Sequence, residues 1–220
     1  MRVILFGATG MVGQGVLRQC LLAPDVEAIL SVVRRAPAGA SLQSGKLREI
    51  IVDDFYDLTA IQSELAGYDA CFFSLGVSAL GMKEAAYRRI TYELTMVAAQ
   101  AVLRANSALT FVYVSGAGTN VHGRAMWARV KGATEQALLA MSFQRAFMLR
   151  PGVIVPLDGI RSKTRLYRVI YTVLGPVLPL LLRRIPSAVT TTEQVGRVML
   201  HLAREGYPRE VLEAIDIASV

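Results

Sequence analysis

The sequence contains few of the residues that build metal centres or disulfide frameworks. Among 220 residues there are only two histidines and two cysteines. Cys20 and Cys71 fall on predicted core elements, without CxxC spacing and without a neighbouring pair of histidines. We therefore predict two free thiols that pack as small apolar side chains, and we expect no metal site.

Long uninterrupted apolar runs are also missing, although 53% of the residues are hydrophobic and the mean hydropathy is +0.42. The run at residues 169–182 is interrupted by Gly175, Pro176 and Pro179, whereas a bilayer span needs about 20 apolar residues. The start of the chain lacks the features of an export signal, so we expect a cytoplasmic protein. Arginines flank apolar residues at 161–184, which leaves association with a membrane surface open.

The charge of the chain favours an anionic cofactor over a nucleic acid. The formal net charge is +7, but the basic residues are dispersed along the sequence. Surfaces that stack bases interleave aromatic and basic residues, and this pattern is not evident here. We therefore expect no nucleic-acid partner.

Short apolar runs alternate with helical patterns along most of the chain, and its length favours one domain covering residues 1–220. Strands separated by helices form right-handed parallel crossovers. The sequence therefore predicts an α/β fold with a single doubly wound parallel sheet (Rossmann) and helices on both faces. The predicted strands are residues 3–6, 28–33, 47–52, 70–75, 110–114, 146–149 and 211–215. The later predicted helices are 58–65, 124–141 and 193–204, together with a long helix before the fifth strand that ends near Asn106 and has Tyr87, Ile90, Leu94, Val97 and Ala101 on one face.

A glycine-rich turn, residues 7–13, follows the first predicted strand and precedes a helical pattern. Glycine lets the backbone approach a ligand, and a helix N-terminus directs free N–H groups and its positive dipole end at an anion. In such sheets ligands bind beyond the carboxyl ends of the strands, where this turn lies. The residues predicted to bind a dinucleotide pyrophosphate are Gly7, Thr9, Gly10, Met11, Val12 and Gly13.

Two arginines, Arg34 and Arg35, end the second predicted strand, where an NAD-binding fold usually places a carboxylate for the ribose 2′-hydroxyl. Guanidinium groups offer donor forks that suit a 2′-phosphate. The pattern therefore favours NADP(H) over NAD(H). The alternative is a solvated pair at a strand end.

Two further strand ends are candidates for cofactor contacts. Asp53 and Asp54 follow the third strand, where they either reach the adenine amino group or begin the next turn. Ser74, Leu75 and Gly76 end the fourth strand. The glycine there permits close approach of a cofactor, although a simple strand end would need the same residue.

The motifs together resemble the short-chain dehydrogenase/reductase superfamily, specifically its small atypical NmrA-like and Tat-interacting-protein-like NAD(P)-binding members, which include epimerase-like and dehydratase-like proteins. The resemblance covers residues 3–152. It rests on the glycine turn, Arg34-Arg35, Asp53-Asp54, residues 111–116, Lys131 and Arg150-Pro151-Gly152. It implies that Pro151 and Gly152 also belong to the cofactor site.

The resemblance also implies a serine, a tyrosine and a lysine that carry out proton transfer. Ser115 and Lys131 match the serine and the lysine, but Trp127 stands at the tyrosine position, four residues before Lys131. An indole N–H can donate a hydrogen bond but does not ionise usefully near neutral pH. The resemblance implies that Lys131 still holds the cofactor ribose.

Other groups could replace the missing tyrosine. Thr91 stands at the asparagine-like position of the preceding helix, which weakens an intact proton relay. Histidine is a common general acid or base, so His122 is one alternative. The Tyr92 hydroxyl and a water molecule are the others. Tyr113 lies within a strand, so we expect its side chain in the core.

Two classes of function therefore remain open. The first is an NADP(H)-dependent oxidoreductase or epimerase-like enzyme that acts on a small apolar or anionic substrate. The second is a non-catalytic NADP(H)-binding redox sensor or regulatory scaffold that acts through a protein partner. Residues 153–192 are expected to supply either substrate contacts or the surface for a partner or a homodimer.

Overall fold

The computed structural model describes residues 1–35, 44–156 and 189–220. Short runs of apolar, mainly β-branched and aromatic residues form its strands. The strands are β1 (Arg2–Phe6), β2 (Ala28–Val33), β3 (Leu47–Ile51), β4 (Ala70–Phe73), β5 (Thr110–Val114), β6 (Arg145–Arg150), β7 (Val153–Val155), β8 (Val189–Thr191) and β9 (Val211–Glu213). Seven of them make one parallel sheet in the order β3-β2-β1-β4-β5-β6-β9, and β7 pairs with β8 in a small separate sheet.

Helices connect the parallel strands. They are α1 (Met11–Leu22), a 3₁₀ helix (Thr59–Leu65), α2 (Glu84–Arg88), α3 (Leu94–Ala105), α4 (Met126–Leu139), α5 (Thr192–Arg204) and α6 (Ala214–Ser219). A π-helical segment, Arg89–Glu93, joins α2 to α3 without a break. The long helix predicted before β5 therefore exists, with a π-helical interruption that the sequence pattern did not indicate.

The strand order reverses at β1. This strand pairs with β2 on one side and with β4 on the other, and Phe6 lies opposite Val32 and Phe73. The carboxyl ends of the three strands therefore meet at one place. A reversal of this kind creates the crevice in which doubly wound sheets bind their ligands.

The core lies in two layers, one on each face of the main sheet. Side chains alternate across a strand, so Ile4 and Phe6 join the layer under α3 while Val3 and Leu5 join the layer under α1 and α5. Both cysteines are buried and free, one in each layer. The predicted doubly wound parallel sheet with helices on both faces is confirmed.

The last predicted strand, residues 211–215, is shorter than expected. It ends at Glu213, because this residue caps α6 by a reciprocal pair of hydrogen bonds with Asp216. The predicted helix at 58–65 is a 3₁₀ helix that begins after Asp57, whose carboxylate accepts from the Thr59 N–H and hydroxyl.

Several expectations concern parts of the chain that lie outside the described residues. These are the apolar run at 169–182, the arginine-flanked segment at 161–184 and most of the proposed substrate or partner region at 153–192. Within the described ranges, no helix is long and apolar enough to cross a membrane.

Candidate functional site

The glycine turn is closed by its own backbone. Gly7 leaves β1 with φ 88°, a conformation that suits glycine, and its carbonyl accepts from the Gly10 N–H at 2.9 Å. A Cβ atom on Gly13 would lie 2.0 Å from the Gly7 oxygen. The first turn of α1 therefore packs directly on the end of β1, which no larger residue at position 13 would allow.

The end of β4 is bound to the same turn. The backbone N–H and the hydroxyl of Ser74 both donate to the Phe6 carbonyl, at 3.0 and 2.9 Å. A Cβ atom on Gly7 would lie 2.6 Å from the Leu75 nitrogen. By contrast, a Cβ atom on Gly76 would meet no atom of the described residues within 4 Å. The turn and the β4 end thus form one wall of the crevice.

The N-terminus of α1 fits a phosphate group. The first N–H groups of a helix have no acceptor within it, and here Gly10 provides no side-chain cap and the first turn contains no acidic residue. Free N–H groups and the positive end of the helix dipole favour an anion at this point. The residues present therefore fit a dinucleotide pyrophosphate.

The ends of β2 and β3 carry exposed charges. Arg34 and Arg35 are exposed directly after β2, and no carboxylate of the described residues pairs with either guanidinium. Asp53 and Asp54 are exposed after β3, and Asp54 Oδ1 accepts the Tyr56 N–H at 2.8 Å. The Asp54 side chain therefore serves the turn, which is one of the two roles considered for it.

Ser115 is buried directly after β5, and a threonine that the sequence analysis did not select holds its hydroxyl. The Ser115 and Thr119 hydroxyl oxygens lie 3.0 Å apart. Thr119 donates its proton to the Gly116 carbonyl at 2.8 Å, so the Ser115 hydroxyl donates to Thr119. A serine and a threonine four residues apart in a loop carry no recognisable signal, which is why Thr119 was missed.

Lys131 reaches from α4 to the carboxyl end of β5. Its Nζ donates to the Ser115 carbonyl at 2.9 Å and lies 3.4 Å from the Val114 carbonyl. Burial lowers the pKa of Lys131 from its ordinary value of 10.5 to about 8, although the nearby Glu135 carboxylate acts in the opposite direction. Lys131 and Ser115 are thus brought together at the edge of the sheet that faces the crevice.

Trp127 lies one helical turn before Lys131, on the same side of α4. Its ring is half-buried, and its Cη2 atom would lie 3.5 Å from a Cβ on Gly118. The indole therefore rests against the loop between β5 and α4. It fills the position that the superfamily gives to an ionisable tyrosine.

The other candidate proton carriers occupy different environments. His122 is exposed in the loop before α4. The Arg88 guanidinium covers the Tyr92 ring at 4.1 Å from its centroid. Tyr113 is buried in the core as predicted, and burial raises the pKa of its hydroxyl. The Thr91 hydroxyl is buried in the π-helical segment without a hydrogen-bond partner.

A buried ion pair fixes α4 against the sheet. Arg150 binds the Glu135 carboxylate through two hydrogen bonds, at 3.0 and 2.5 Å, and binds Glu213 at 2.7 Å. Glu135 lies one helical turn after Lys131. The residue directly after β6, Pro151, accepts the Ala117 N–H through its carbonyl at 2.9 Å. The motif Arg150-Pro151-Gly152 marks Arg150 in the sequence but does not indicate its two carboxylate partners.

The fold and the site together define a class of protein. A parallel sheet with a glycine turn at its reversal point, a serine directly after β5 and a lysine on the following helix α4 is the arrangement of a Rossmann-fold NAD(P)-binding protein. In its fold and in these residues, the chain resembles the short-chain dehydrogenase/reductase superfamily.

Comparison with known sequences places the chain more closely. The sequence model of the family described as NAD(P)H-binding matches residues 7–153. The chain therefore belongs to this family, and a nicotinamide dinucleotide is its cofactor class. Relatives include the mitochondrial protein FMP52-2 of Scheffersomyces stipitis, 29% identical over 96% of this chain and 90% of the relative. The mitochondrial protein fmp52-1 of Aspergillus terreus is 33% identical over 74% of this chain and 69% of the relative.

Solved structures share the fold at low sequence identity. A short-chain dehydrogenase/reductase family oxidoreductase from Burkholderia thailandensis gives a TM-score of 0.72 at 19% identity, over 99% of this chain and 92% of that one. The UDP-glucose 4-epimerase of Thermotoga maritima gives a TM-score of 0.69 at 15% identity, over 97% of this chain and 76% of that one. These similarities confirm the Rossmann fold.

The expectation of a cytoplasmic protein is wrong in light of the relatives, which are named as mitochondrial proteins. The expectation rested on the lack of an export signal. Such a signal concerns secretion alone, so its absence does not distinguish the cytoplasm from an organelle.

Proposed function

We propose that the chain is an NADP(H)-dependent oxidoreductase or epimerase-like enzyme that acts on a small apolar or anionic substrate. One observation carries the proposal: the glycine turn and the Ser115–Lys131 pair lie at the same edge of the sheet. They follow β1 and β5, which are separated only by β4. Two strand spacings are about 10 Å, so one extended cofactor can contact both.

Each part of the site has a role toward that cofactor. The free N–H groups at the start of α1 hold the pyrophosphate, and Lys131 holds the ribose hydroxyls. A nicotinamide held by these residues would supply hydride transfer to or from the substrate. Ser115 then orients the substrate oxygen by turning its hydroxyl from Thr119 toward the crevice, which replaces one hydrogen bond by another.

Arg34 and Arg35 are the basis for preferring NADP(H). Both guanidinium groups are exposed at the end of β2, next to the reversal point, and a 2′-phosphate would give them charge-assisted hydrogen bonds. Arg34→Ser and Arg35→Ser should each weaken NADPH binding by about tenfold or more and leave NADH binding nearly unchanged. Nicotinamide fluorescence titrations measure both cofactors.

Arg197→Ser provides the control for these variants. It removes the same charge from an exposed position on α5, so it should affect neither cofactor. Equal losses of NADPH and NADH binding in the Arg34 and Arg35 variants, or no loss at all, would reject the preference for NADP(H).

Trp127 supports a second candidate function, a non-catalytic NADP(H)-binding redox sensor or scaffold that acts through a partner. Its indole cannot transfer a proton near neutral pH. NADPH consumption across a panel of carbonyl compounds separates the two functions. Turnover by the wild type supports the enzyme, whereas tight NADPH binding with turnover only in Trp127→Tyr supports the sensor.

The named relatives also support a mitochondrial location. Subcellular fractionation of cells that express the tagged chain tests this, and recovery of the chain outside the mitochondrial fraction would count against it.

A further inference from the structure

We propose that Lys131 is the acid–base group of this site and donates the proton itself, in place of the missing tyrosine. The inference rests on the proposed oxidoreductase function and assigns the proton step to one atom, Nζ of Lys131. In the superfamily that the chain resembles, the tyrosine performs this step and the lysine assists it.

Geometry places Nζ where the proton is needed. It lies 2.9 Å from the backbone carbonyl of Ser115, the residue whose hydroxyl orients the substrate oxygen. It is held by two carbonyl oxygens, of Val114 and Ser115, and neither is an anion that would fix the proton on the amine. A general acid must come within hydrogen-bond reach of its acceptor, directly or through one water.

The carboxylate one helical turn after Lys131 on α4 forms its ion pair with another residue. Glu135 is bound by two hydrogen bonds to Arg150 of β6, which also binds Glu213. From β5, the Tyr113 ring faces Nζ at 5.7 Å from its centroid. These surroundings leave Lys131 a half-buried amine without an ion-pair partner of its own among the described residues, and burial brings its pKa to about 8.

The other ionisable groups near the β5 end are less suitable. The His122 side chain is exposed in the loop, and the Tyr92 ring is covered by Arg88. The Tyr113 hydroxyl is buried in the core. A group whose pKa lies near the working pH transfers protons best, and within the described residues Lys131 meets that condition at the site.

The proposed step is the reduction of a carbonyl group to an alcohol. The carbonyl carbon accepts a hydride from the reduced nicotinamide, which is oxidised. The carbonyl oxygen accepts a proton as an N–H bond of the Lys131 ammonium breaks and the O–H bond of the alcohol forms. The neutral amine then regains a proton from water. In the oxidation direction, the neutral amine removes the hydroxyl proton.

The first test needs no turnover. The chain has four lysines, Lys46, Lys83, Lys131 and Lys163, so ¹³C labelling at the lysine ε-carbon gives few NMR signals, and arginine variants assign them. We expect the Lys131 signal to titrate near pH 8 and to be absent in Lys131→Arg. Titration of this signal near pH 10 or above would overturn the proposal.

The second test uses the same variants with NADPH and the best carbonyl substrate of the panel. Lys131→Arg keeps a positive charge but cannot release a proton, so NADPH affinity should stay within about threefold while kcat falls at least 100-fold. Lys83→Arg makes the same change at an exposed position on the N-terminal side of α2 and should leave kcat unchanged. The wild-type reduction rate should fall about tenfold for each pH unit above the Lys131 titration point.

The outcomes separate this inference from the proposed function. Wild-type turnover that survives in Lys131→Arg, or that does not fall with rising pH, overturns the role of Lys131 and leaves the enzyme proposal intact. Wild type that binds NADPH but reduces no carbonyl compound overturns the enzyme proposal and, with it, the proton step.

Discussion

The glycine turn (residues 7–13) and the β5–α4 region (residues 115–131) lie at the same edge of the sheet but depend on different parts of the chain. In the proposed function, the turn binds the cofactor through backbone N–H groups, and its packing requires the absence of side chains. The proposed roles of the β5–α4 region belong instead to the side chains of Ser115, Trp127 and Lys131. On this proposal, a single replacement at position 127 alters the chemistry and leaves the cofactor-binding turn intact.

The two regions also differ in what stabilises them. The turn is held by close contact between β1, β4 and α1. The β5–α4 region relies on the buried Glu135–Arg150 ion pair and contains a lysine that is partly removed from water. Backbone packing thus stabilises the proposed cofactor-binding turn, whereas a buried ion pair stabilises the region that holds Ser115 and Lys131.

The largest effect is expected for Arg150→Met. This substitution should disrupt the β5–α4 region and leave the glycine turn unchanged. It leaves Glu135, whose side chain is 4% exposed, as an unpaired buried charge. We expect the free energy of unfolding to fall by about 3–5 kcal/mol, measured by urea denaturation.

A second substitution distinguishes the effect of an unpaired Glu135 charge from the effect of lost side-chain packing at Arg150. Adding Glu135→Met to Arg150→Met should restore most of the stability. Arg48→Met removes an exposed ion pair with Glu64 and should leave the urea midpoint unchanged. A double variant as unstable as the single variant would contradict this account of the β5–α4 region.

Gly13→Ala tests the turn in the same way. Its Cβ would lie 2.0 Å from the Gly7 oxygen, and relief of that overlap requires backbone movement. We expect a loss of about 3 kcal/mol in stability together with loss of NADPH binding. Gly45→Ala adds the same atom where nothing lies within 4 Å and should be neutral; equal behaviour of the two variants would show that the turn is not tightly packed.

Lys131→Met should stabilise the chain at neutral pH. The pKa of Lys131 is lowered from 10.5 to about 8 by folding, so the protonated lysine costs stability below pH 8, and the cost disappears as pH rises toward 10.5. We expect a gain of about 3 kcal/mol at pH 7 that vanishes above pH 10.5. Thermal denaturation across this pH range measures it, with Lys83→Met as the control, and a gain that is independent of pH would contradict the assignment.

Trp127→Tyr is expected to have the smallest effect on free energy. It supplies the missing acid beside Lys131 without touching the glycine turn, so NADPH affinity should stay within about twofold while kcat rises about tenfold. Trp127→Phe controls for the loss of the indole and should show no increase. A large change in NADPH affinity would show that the two regions are not independent.

The parts of the fold that could be predicted from sequence are those with local patterns. Apolar runs, breakers and the glycine spacing indicated the parallel sheet and the position of the turn. The Glu135–Arg150 pair, the Ser115–Thr119 hydrogen bond and the π-helical segment at 89–93 have no comparable signal, because they depend on which residues the fold brings together. The strands β7 and β8 were not predicted either, because each is only three residues long and a run this short has no recognisable pattern.

The most direct test of the account is the binding of NADPH to Gly10→Asp and Gly10→Asn, measured by titration calorimetry. Both residues are good N-caps, so neither variant should be less stable than the wild type by more than about 1 kcal/mol, and the two differ only in charge. If the start of α1 holds the pyrophosphate, Gly10→Asp should bind NADPH at least about 100-fold more weakly than Gly10→Asn. Equal affinities would contradict the account, because they would place the phosphates elsewhere.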